Sequence, residues 1–196
     1  MDYSKGAEHC LNNHLRLITS ANFIFNDEDG TDSFGLYLYY IAFEEISKAI
    51  FCLFVEKKWV SVDFIKTIFE DHKPKVLLYD EIFQSFKIKK GIPYLDNKPL
   101  GEIPLEDFIK KHKTHIRLHR NELTDFVYVR PDETDWHLPH NTNDLEIKKR
   151  RINSKINDLG NFYHLLKKQI KENNTLDGLT VYSSLDGQST IQWDEI

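Results

Sequence analysis

The sequence predicts an all-α protein, a bundle of five or six helices that ends in a small C-terminal β-hairpin or extended tail. Two observations lead to this fold class. Apolar residues recur at intervals of three and four over most of the chain, which is the helical period. Alternating apolar and polar residues flank a tight-turn dipeptide only near the C-terminus, at Asp186-Gly187. We therefore expect a helical domain over residues 1–173 and a hairpin or tail over residues 174–196.

Six segments carry the pattern or the boundary signals of helices. The second is almost wholly apolar, so it must be buried on most of its faces. Ser61 can cap the third, and Pro74 both ends that segment and suits the first position of the next. The helices are predicted over residues 5–25, 33–57, 61–70, 74–86, 105–123 and 144–173. We expect a surface loop at residues 87–104, which are rich in Pro, Gly, Lys and Asn, and an irregular segment at residues 126–143.

Composition and charge restrict the class of protein. The chain is 40% hydrophobic and 29% charged, and its net charge of −5 means that the surface as a whole does not attract nucleic acid, although a local basic patch is compatible with it. The N-terminus lacks the apolar core of a secretory signal, and three central charges on the apolar helix oppose a membrane span. Cys10 and Cys52 are expected to be buried, reduced thiols. We therefore expect a cytoplasmic protein that does not enter a membrane.

The most informative feature is a group of charges inside the apolar second helix, at Glu44, Glu45 and Lys48. A charge on a buried helix is costly unless it is paired or hydrogen-bonded. Glu44 and Lys48 lie four residues apart, so they can pair along the helix, while Glu45 continues the stripe that faces the core. Such a group is either an internal brace or a functional site, and the pattern leaves both open.

The segment His72-Lys73-Pro74-Lys75 is a second candidate, because it falls where a helix breaks. Histidine is the side chain best suited to proton transfer near neutral pH. A break beside buried acids is therefore a reasonable place for a site. The alternative is a solvated basic turn.

A third candidate is the basic helix predicted at residues 105–123. Spacings of three, four and three place four cations on one of its faces, which is typical of a surface that contacts phosphates. These cations are Lys110, Lys113, Arg117 and Arg120. The alternative is a solvated face that is balanced by acidic neighbours.

Metal and cofactor chemistry is not indicated by the sequence. The chain has no Gly-rich phosphate loop, no His-Glu-x-x-His motif and no Glu followed by His three residues later. Its histidines are scattered rather than placed at the spacing of metal ligands. We therefore expect neither a metal nor a cofactor.

Taken in order, three segments resemble the AbiV family of abortive-infection proteins, which lies within or near the HEPN superfamily. Residues 37–53 are similar to that family's apolar helix with an Ala-x-Glu-Glu-x-x-Lys centre. Residues 69–75 (FEDHKPK) are similar to its Phe-x-x-His-Lys-x-Lys segment. The third segment, residues 120–136, resembles an Arg-Asn stretch that leads into a Tyr-Val-Asp-type strand, and the matching residues are Arg120, Asn121 and Tyr128-Val129. The resemblance covers roughly residues 5–136.

The resemblance implies a HEPN-like helical bundle, a role in phage defence, and homodimerisation. Many HEPN proteins are metal-independent endoribonucleases whose signature is Arg, four to six residues, and then His. Here Arg120-Asn121 matches the start of that signature, but residues 125–127 are Asp, Phe and Val, so the signature is not intact. Arg130 and His137 match by spacing alone, since Pro131 follows the Arg.

The resemblance also implies one shared polar site. His72 would act as the base, and Arg120 and Lys75 would stabilise a charged phosphorane. The full set of implied catalytic residues is His72, Arg120, Asn121, Glu45, Lys48 and Lys75. The spacing of cations on the basic helix, and not the resemblance, predicts that RNA would bind along Lys110, Lys113 and Arg117.

Three functions remain open on these expectations. The first is an effector that cleaves or binds RNA and stops translation. The second is a non-catalytic protein that binds a phage component or a host translation factor. The third is a structural bundle in which the polar network only braces the core.

Overall fold

The computed structural model describes residues 1–26, 32–70, 75, 78–79, 86–89, 92–95, 97–104, 106–107, 130–131, 136–137, 145–172, 179–183 and 189–193. Most of these residues are helical, in agreement with the predicted fold class. The long helices are α1 (Tyr3–Phe25), α2 (Asp32–Glu56), α3 (Val62–Glu70) and α4 (Leu145–Glu172). Residues 75, 78–79 and 106–107 are also helical, within the helices predicted at 74–86 and 105–123. Phe86 is described but is not helical, and the other residues of these two predicted helices lie outside this description.

Helices α1 and α2 form an antiparallel pair. The carboxylate of Asp2 caps α1 by accepting a hydrogen bond of 2.9 Å from the backbone N–H of Lys5. At the other end of α1, the ring of Phe25 lies so close to Gly35 of α2 that an added Cβ would stand 2.8 Å from it. Glycine at position 35 therefore permits the close approach of the two helices.

Helix α2 is the centre of the core. Eighteen of its 25 residues are buried, which confirms the prediction made from its apolar sequence. A chain of aromatic contacts joins it to the rest of the fold, because Phe54 stacks on Phe86 at 6.0 Å and Phe86 meets Phe162 of α4 edge-on at 5.1 Å. Helix α4 thus packs against α2 along a stripe of buried residues, Ile152, Ile156, Leu159, Phe162, Tyr163 and Leu166.

The prediction of a surface loop at residues 87–104 is wrong. This segment forms β1 (Lys87–Lys89), β2 (Ile92–Leu95), β3 (Lys98–Pro99) and a turn of 3₁₀ helix at Leu100–Glu102. Its alternate residues are buried, among them Ile88, Leu95 and Leu100. Strands of two to four residues are too short to show a clear period in the sequence.

Of the two alternatives that the sequence left open at the C-terminus, a hairpin or an extended tail, the structure contains the hairpin. Strands β6 (Leu179–Ser183) and β7 (Ser189–Trp193) pair in antiparallel register around the predicted turn. The hairpin joins the preceding strands through the pairing of Thr180 with Lys87, which gives a five-stranded sheet in the order β3-β2-β1-β6-β7. An isolated hairpin is marginally stable, and this sheet supplies the partner that it needs.

Part of the segment predicted to be irregular is also regular. Strands β4 (Arg130–Pro131) and β5 (Trp136–His137) form a separate antiparallel pair. In its register Arg130 stands opposite His137. The other residues of the range 126–143 lie outside the described part of the chain.

Candidate functional site

Four charged residues, which we call the α2 charge cluster, lie at or against the middle of α2: Glu44, Glu45, Lys48 and Lys75. The Lys75 Nζ lies 3.4 Å from the Glu44 Oε2, and both side chains are only 3% exposed. Lys75 belongs to the short helical stretch that follows Pro74 in the sequence. The structure therefore brings a residue of the second sequence motif into contact with a residue of the first.

The second ion pair of the cluster joins two residues that are closer together in the sequence, and its side chains are less buried. Lys48 donates a hydrogen bond to Glu45, three residues earlier on the same helix, and its ammonium also lies 5.4 Å from the centre of the Phe69 ring on α3. The spacing in the sequence allowed Lys48 to pair with Glu44, but the structure pairs Lys48 with Glu45. Lys48 pairs with Glu45 because Glu44 turns to Lys75, a residue that is distant in sequence.

The α2 charge cluster contains two ion pairs, Glu44 with Lys75 and Glu45 with Lys48, so each carboxylate has an ammonium group as a partner. Lys75 is 2% exposed and held by Glu44, so its ammonium has no path to a large substrate in this conformation. An arrangement of this kind fixes the position of helices relative to one another. It is therefore suited to bracing and positioning rather than to direct contact with a reacting group.

His14 of α1 adds a titratable group beside the cluster. Its Nδ1 lies 2.8 Å from the carbonyl oxygen of Ala42, which can only accept, so Nδ1 carries the proton and Nε2 is left as the basic nitrogen of the neutral ring. The side chain is 4% exposed. Burial lowers the pKa of His14, although the hydrogen bond to Ala42 and the charge of Glu45 oppose this shift.

A prediction follows for the pH dependence of stability. A histidine with a lowered pKa in the folded state is protonated more readily in the unfolded chain, so stability is lost as the pH falls below the ordinary value of 6.5. We expect His14 to lower the free energy of unfolding as the pH falls from about 7.5 to about 5.5, because the unfolded chain takes up the proton more readily than the folded protein. Urea denaturation of the wild type and of His14→Gln at both pH values measures it.

The matched control is His9→Gln, since His9 lies on the same helix but is exposed. This control should retain the pH dependence of the wild type, whereas His14→Gln should flatten it. An unchanged pH dependence in His14→Gln would show that the His14 ring does not resist protonation in the folded state.

The two cysteines lie in the same layer, on α1 and α2. Both are buried and free, as expected from the sequence. Interaction with the Cys10 sulfur and burial both raise the pKa of the Cys52 thiol above its usual range. Tyr163 of α4 is also buried, and its hydroxyl finds no hydrogen-bond partner among the residues that the structure describes.

The remaining predicted site residues cannot be placed. His72, Arg120 and Asn121 of the implied catalytic set lie outside the described residues, as do the cations predicted to bind RNA, Lys110, Lys113 and Arg117. The structure therefore places Glu45, Lys48 and Lys75 in two ion pairs, Glu45 with Lys48 and Glu44 with Lys75, which are held by adjacent residues of α2. Within the described ranges no group of three or more metal-ligating side chains converges.

Sequence reasoning missed a charged surface on α4. This helix contains eight Lys and Arg residues but only three Asp and Glu residues, in a chain whose net charge is −5. The signal was present in the run Lys148-Lys149-Arg150-Arg151 and in the Lys167-Lys168 pair. A count of charge along each predicted helix would have found it.

Comparisons with known protein families, with curated proteins and with solved structures find no match to this chain. Among the described helices, none is both long enough and apolar enough to cross a lipid bilayer.

Proposed function

We propose that this protein is an AbiV-type abortive-infection protein, a cytoplasmic homodimer with a HEPN-like bundle of five or six helices that acts on RNA or on translation. Two of the three motifs that suggest this family meet in space, because Lys75 of the second contacts Glu44 of the first. The apolar helix that carries the first motif is the buried centre of the fold.

The observation that favours RNA as the target is the solvent-facing side of α4, which we call the α4 basic face. Four of its cations are exposed, namely Arg150, Arg151, Lys168 and Lys171. Arg150 and Lys168 are eighteen residues apart, which is five helical turns, so they lie on the same line of the helix surface about 27 Å apart. That distance is enough to follow several phosphates of a nucleic-acid strand.

Uncharged polar side chains occupy the surface between these cations. Between Arg151 and Lys168 the exposed residues of α4 are Asn153, Ser154, Asn157, Asn161 and His164. Side chains of Asn, Ser and His donate hydrogen bonds to phosphate and sugar oxygens. The one carboxylate in this stretch, Asp158, accepts a hydrogen bond of 2.8 Å from the Tyr79 hydroxyl.

A long face with cations at both ends and amide donors between them fits a phosphodiester backbone. Binding of this kind depends on charge and shape, and it reads no base sequence. The α2 charge cluster takes the supporting role in this proposal, since its buried pairs hold α2 and the segment at Lys75 in place. Cleavage, if it occurs, would use His72 and Arg120.

The experiment is incubation of the purified protein with total RNA and with tRNA in the presence of EDTA, beside His72→Ala and Arg120→Ala. Cleavage by the wild type alone would establish a metal-independent ribonuclease and would place its site at those residues. Binding without cleavage would make the protein an RNA-binding effector of translation. Neither binding nor cleavage, with or without added divalent metal, would overturn RNA as the target.

A further inference from the structure

Three exposed asparagines, which we call the asparagine row, run along the middle of α4. Asn153, Asn157 and Asn161 are four residues apart, so they lie on one ridge of the helix surface. Each is separated from the next by about 6 Å along the helix axis. None of the three side chains forms a hydrogen bond with a residue that the structure describes. Their amides are therefore available to a molecule that lies on this surface.

Gly160 lies beside the asparagine row and has no role in the packing of the fold. A Cβ added at this position would meet no atom of the described residues within 4 Å. Glycine inside a helix is less favourable than alanine, because it loses more conformational freedom on folding. A glycine that packing does not require, in the middle of a polar surface, lets an outside molecule approach the helix backbone closely. It is a second observation that points to a ligand.

The exposed side of α4 is not built to stack on bases. Proteins that hold the bases of single strands stack them on aromatic side chains. Phe162 and Tyr163 are the only Phe, Tyr or Trp residues of α4, and both are completely buried. The parts of a nucleic acid that suit this surface are therefore the sugar and the phosphate.

The chemistry of the amide distinguishes the sugar from the phosphate. A phosphate oxygen only accepts hydrogen bonds, and the exposed cations at both ends of the α4 basic face suit it. A ribose 2′-hydroxyl both donates and accepts, and so does the side-chain amide of Asn. The spacing of the asparagine row is close to the distance between successive sugars of a strand, so neighbouring asparagines can contact neighbouring riboses.

We propose that the asparagine row binds the ribose 2′-hydroxyls of an RNA strand that approaches closely at Gly160, so that the α4 basic face binds RNA in preference to DNA. This inference rests on the proposed action on RNA and adds the residues that recognise the sugar. Deoxyribose has no 2′-hydroxyl to offer these amides. Each exposed hydrogen bond of this kind favours RNA by roughly two- to threefold, so three of them favour RNA by roughly 10-fold.

The test compares RNA, DNA and 2′-fluoro RNA of one adenine-rich base sequence, bound to the full-length protein and followed by fluorescence anisotropy. The 2′-fluoro strand keeps the sugar conformation of RNA but cannot donate a hydrogen bond. We expect RNA to bind roughly 10-fold more tightly than either of the other strands. In the triple variant Asn153→Ala, Asn157→Ala, Asn161→Ala this preference should disappear, while the salt dependence of binding should stay that of the wild type because no charge changes.

A further variant separates binding from folding. Gly160→Leu should raise the melting temperature, since leucine is the better helix former. It should nevertheless lower the affinity for RNA by roughly threefold or more, because the strand no longer reaches the amides beside it. The control Asn12→Ala with Asn13→Ala removes two exposed amides from α1 and should keep the preference for RNA.

Three results would contradict these expectations in different ways. Equal affinity of the wild type for RNA and DNA would overturn the recognition of ribose, while RNA binding itself would stand. A preference for RNA that survives in the triple variant would also overturn the proposal, because other residues would then contact the 2′-hydroxyls. Absence of binding to all three strands would overturn the proposed action on RNA, and this inference with it.

Discussion

Replacement of Glu44 by Ala is expected to lower the free energy of unfolding by about 3–5 kcal/mol, the range found when one partner of a buried ion pair is removed. The Lys75 ammonium, 3.4 Å from Glu44 and 3% exposed, would then remain in the core without its counter-charge. Urea denaturation at neutral pH measures the effect. A loss below about 1 kcal/mol, the range of an exposed ion pair, would contradict the structure at this pair.

Two further variants separate the charge from the packing. The double variant Glu44→Leu with Lys75→Met removes both charges and keeps the volume, so it should recover most of the stability lost by Glu44→Ala. Glu56→Ala removes an exposed carboxylate from the same helix and should change stability by less than about 0.5 kcal/mol. If the double variant is as unstable as Glu44→Ala, the two side chains stabilise the fold by more than the neutralisation of each other's charge.

Charge reversal on the α4 basic face is expected to have the largest effect on RNA binding. The double variant Arg150→Glu with Lys168→Glu places a negative charge at each end of the face, where both side chains are exposed. Each contact removed also removes the release of a counterion. We expect the affinity for single-stranded RNA to fall by roughly 10- to 100-fold at about 0.1 M salt, as measured by fluorescence anisotropy.

The control for this variant makes the same change of charge elsewhere. Lys66→Glu with Lys89→Glu reverses two exposed cations on α3 and β1, so the net charge of the two double variants is identical. This control should bind RNA within about threefold of the wild type, the change expected from net charge alone at that salt concentration. Equal losses of RNA affinity in the two variants would mean that binding depends on the overall charge of the protein and not on the α4 basic face.

The helices were predictable from the sequence because their signals are long and consistent. The apolar run of α2 indicated burial on nearly every face, and most of its residues are indeed buried. The predicted helix at residues 144–173 differs from α4 by one residue at each end. A hydrophobic pattern that repeats over many helical turns predicts the helix even where single residues depart from the pattern.

Tertiary partners could not be predicted in the same way. Helical spacing allowed Glu44 to pair with Lys48. In the structure Glu44 pairs instead with Lys75, which lies 31 residues away in the chain. The short strands at residues 87–99 were missed because Pro93 and the two- to four-residue lengths resemble a loop. The hydrogen bond from His14 to the carbonyl of Ala42 likewise depends on how α1 packs against α2, and no local sequence pattern predicts that packing.

The central claim is that RNA phosphates lie along α4, and the salt dependence of binding tests it most directly. The affinity of the wild type and of the Arg150→Glu, Lys168→Glu variant would be measured with one single-stranded RNA over a series of salt concentrations. Each phosphate contact contributes about 0.7 to the slope of log affinity against log salt, so we expect the slope of the variant to be smaller by about 1.4. Parallel lines for the two proteins would contradict the claim, because they would mean that neither residue contacts a phosphate.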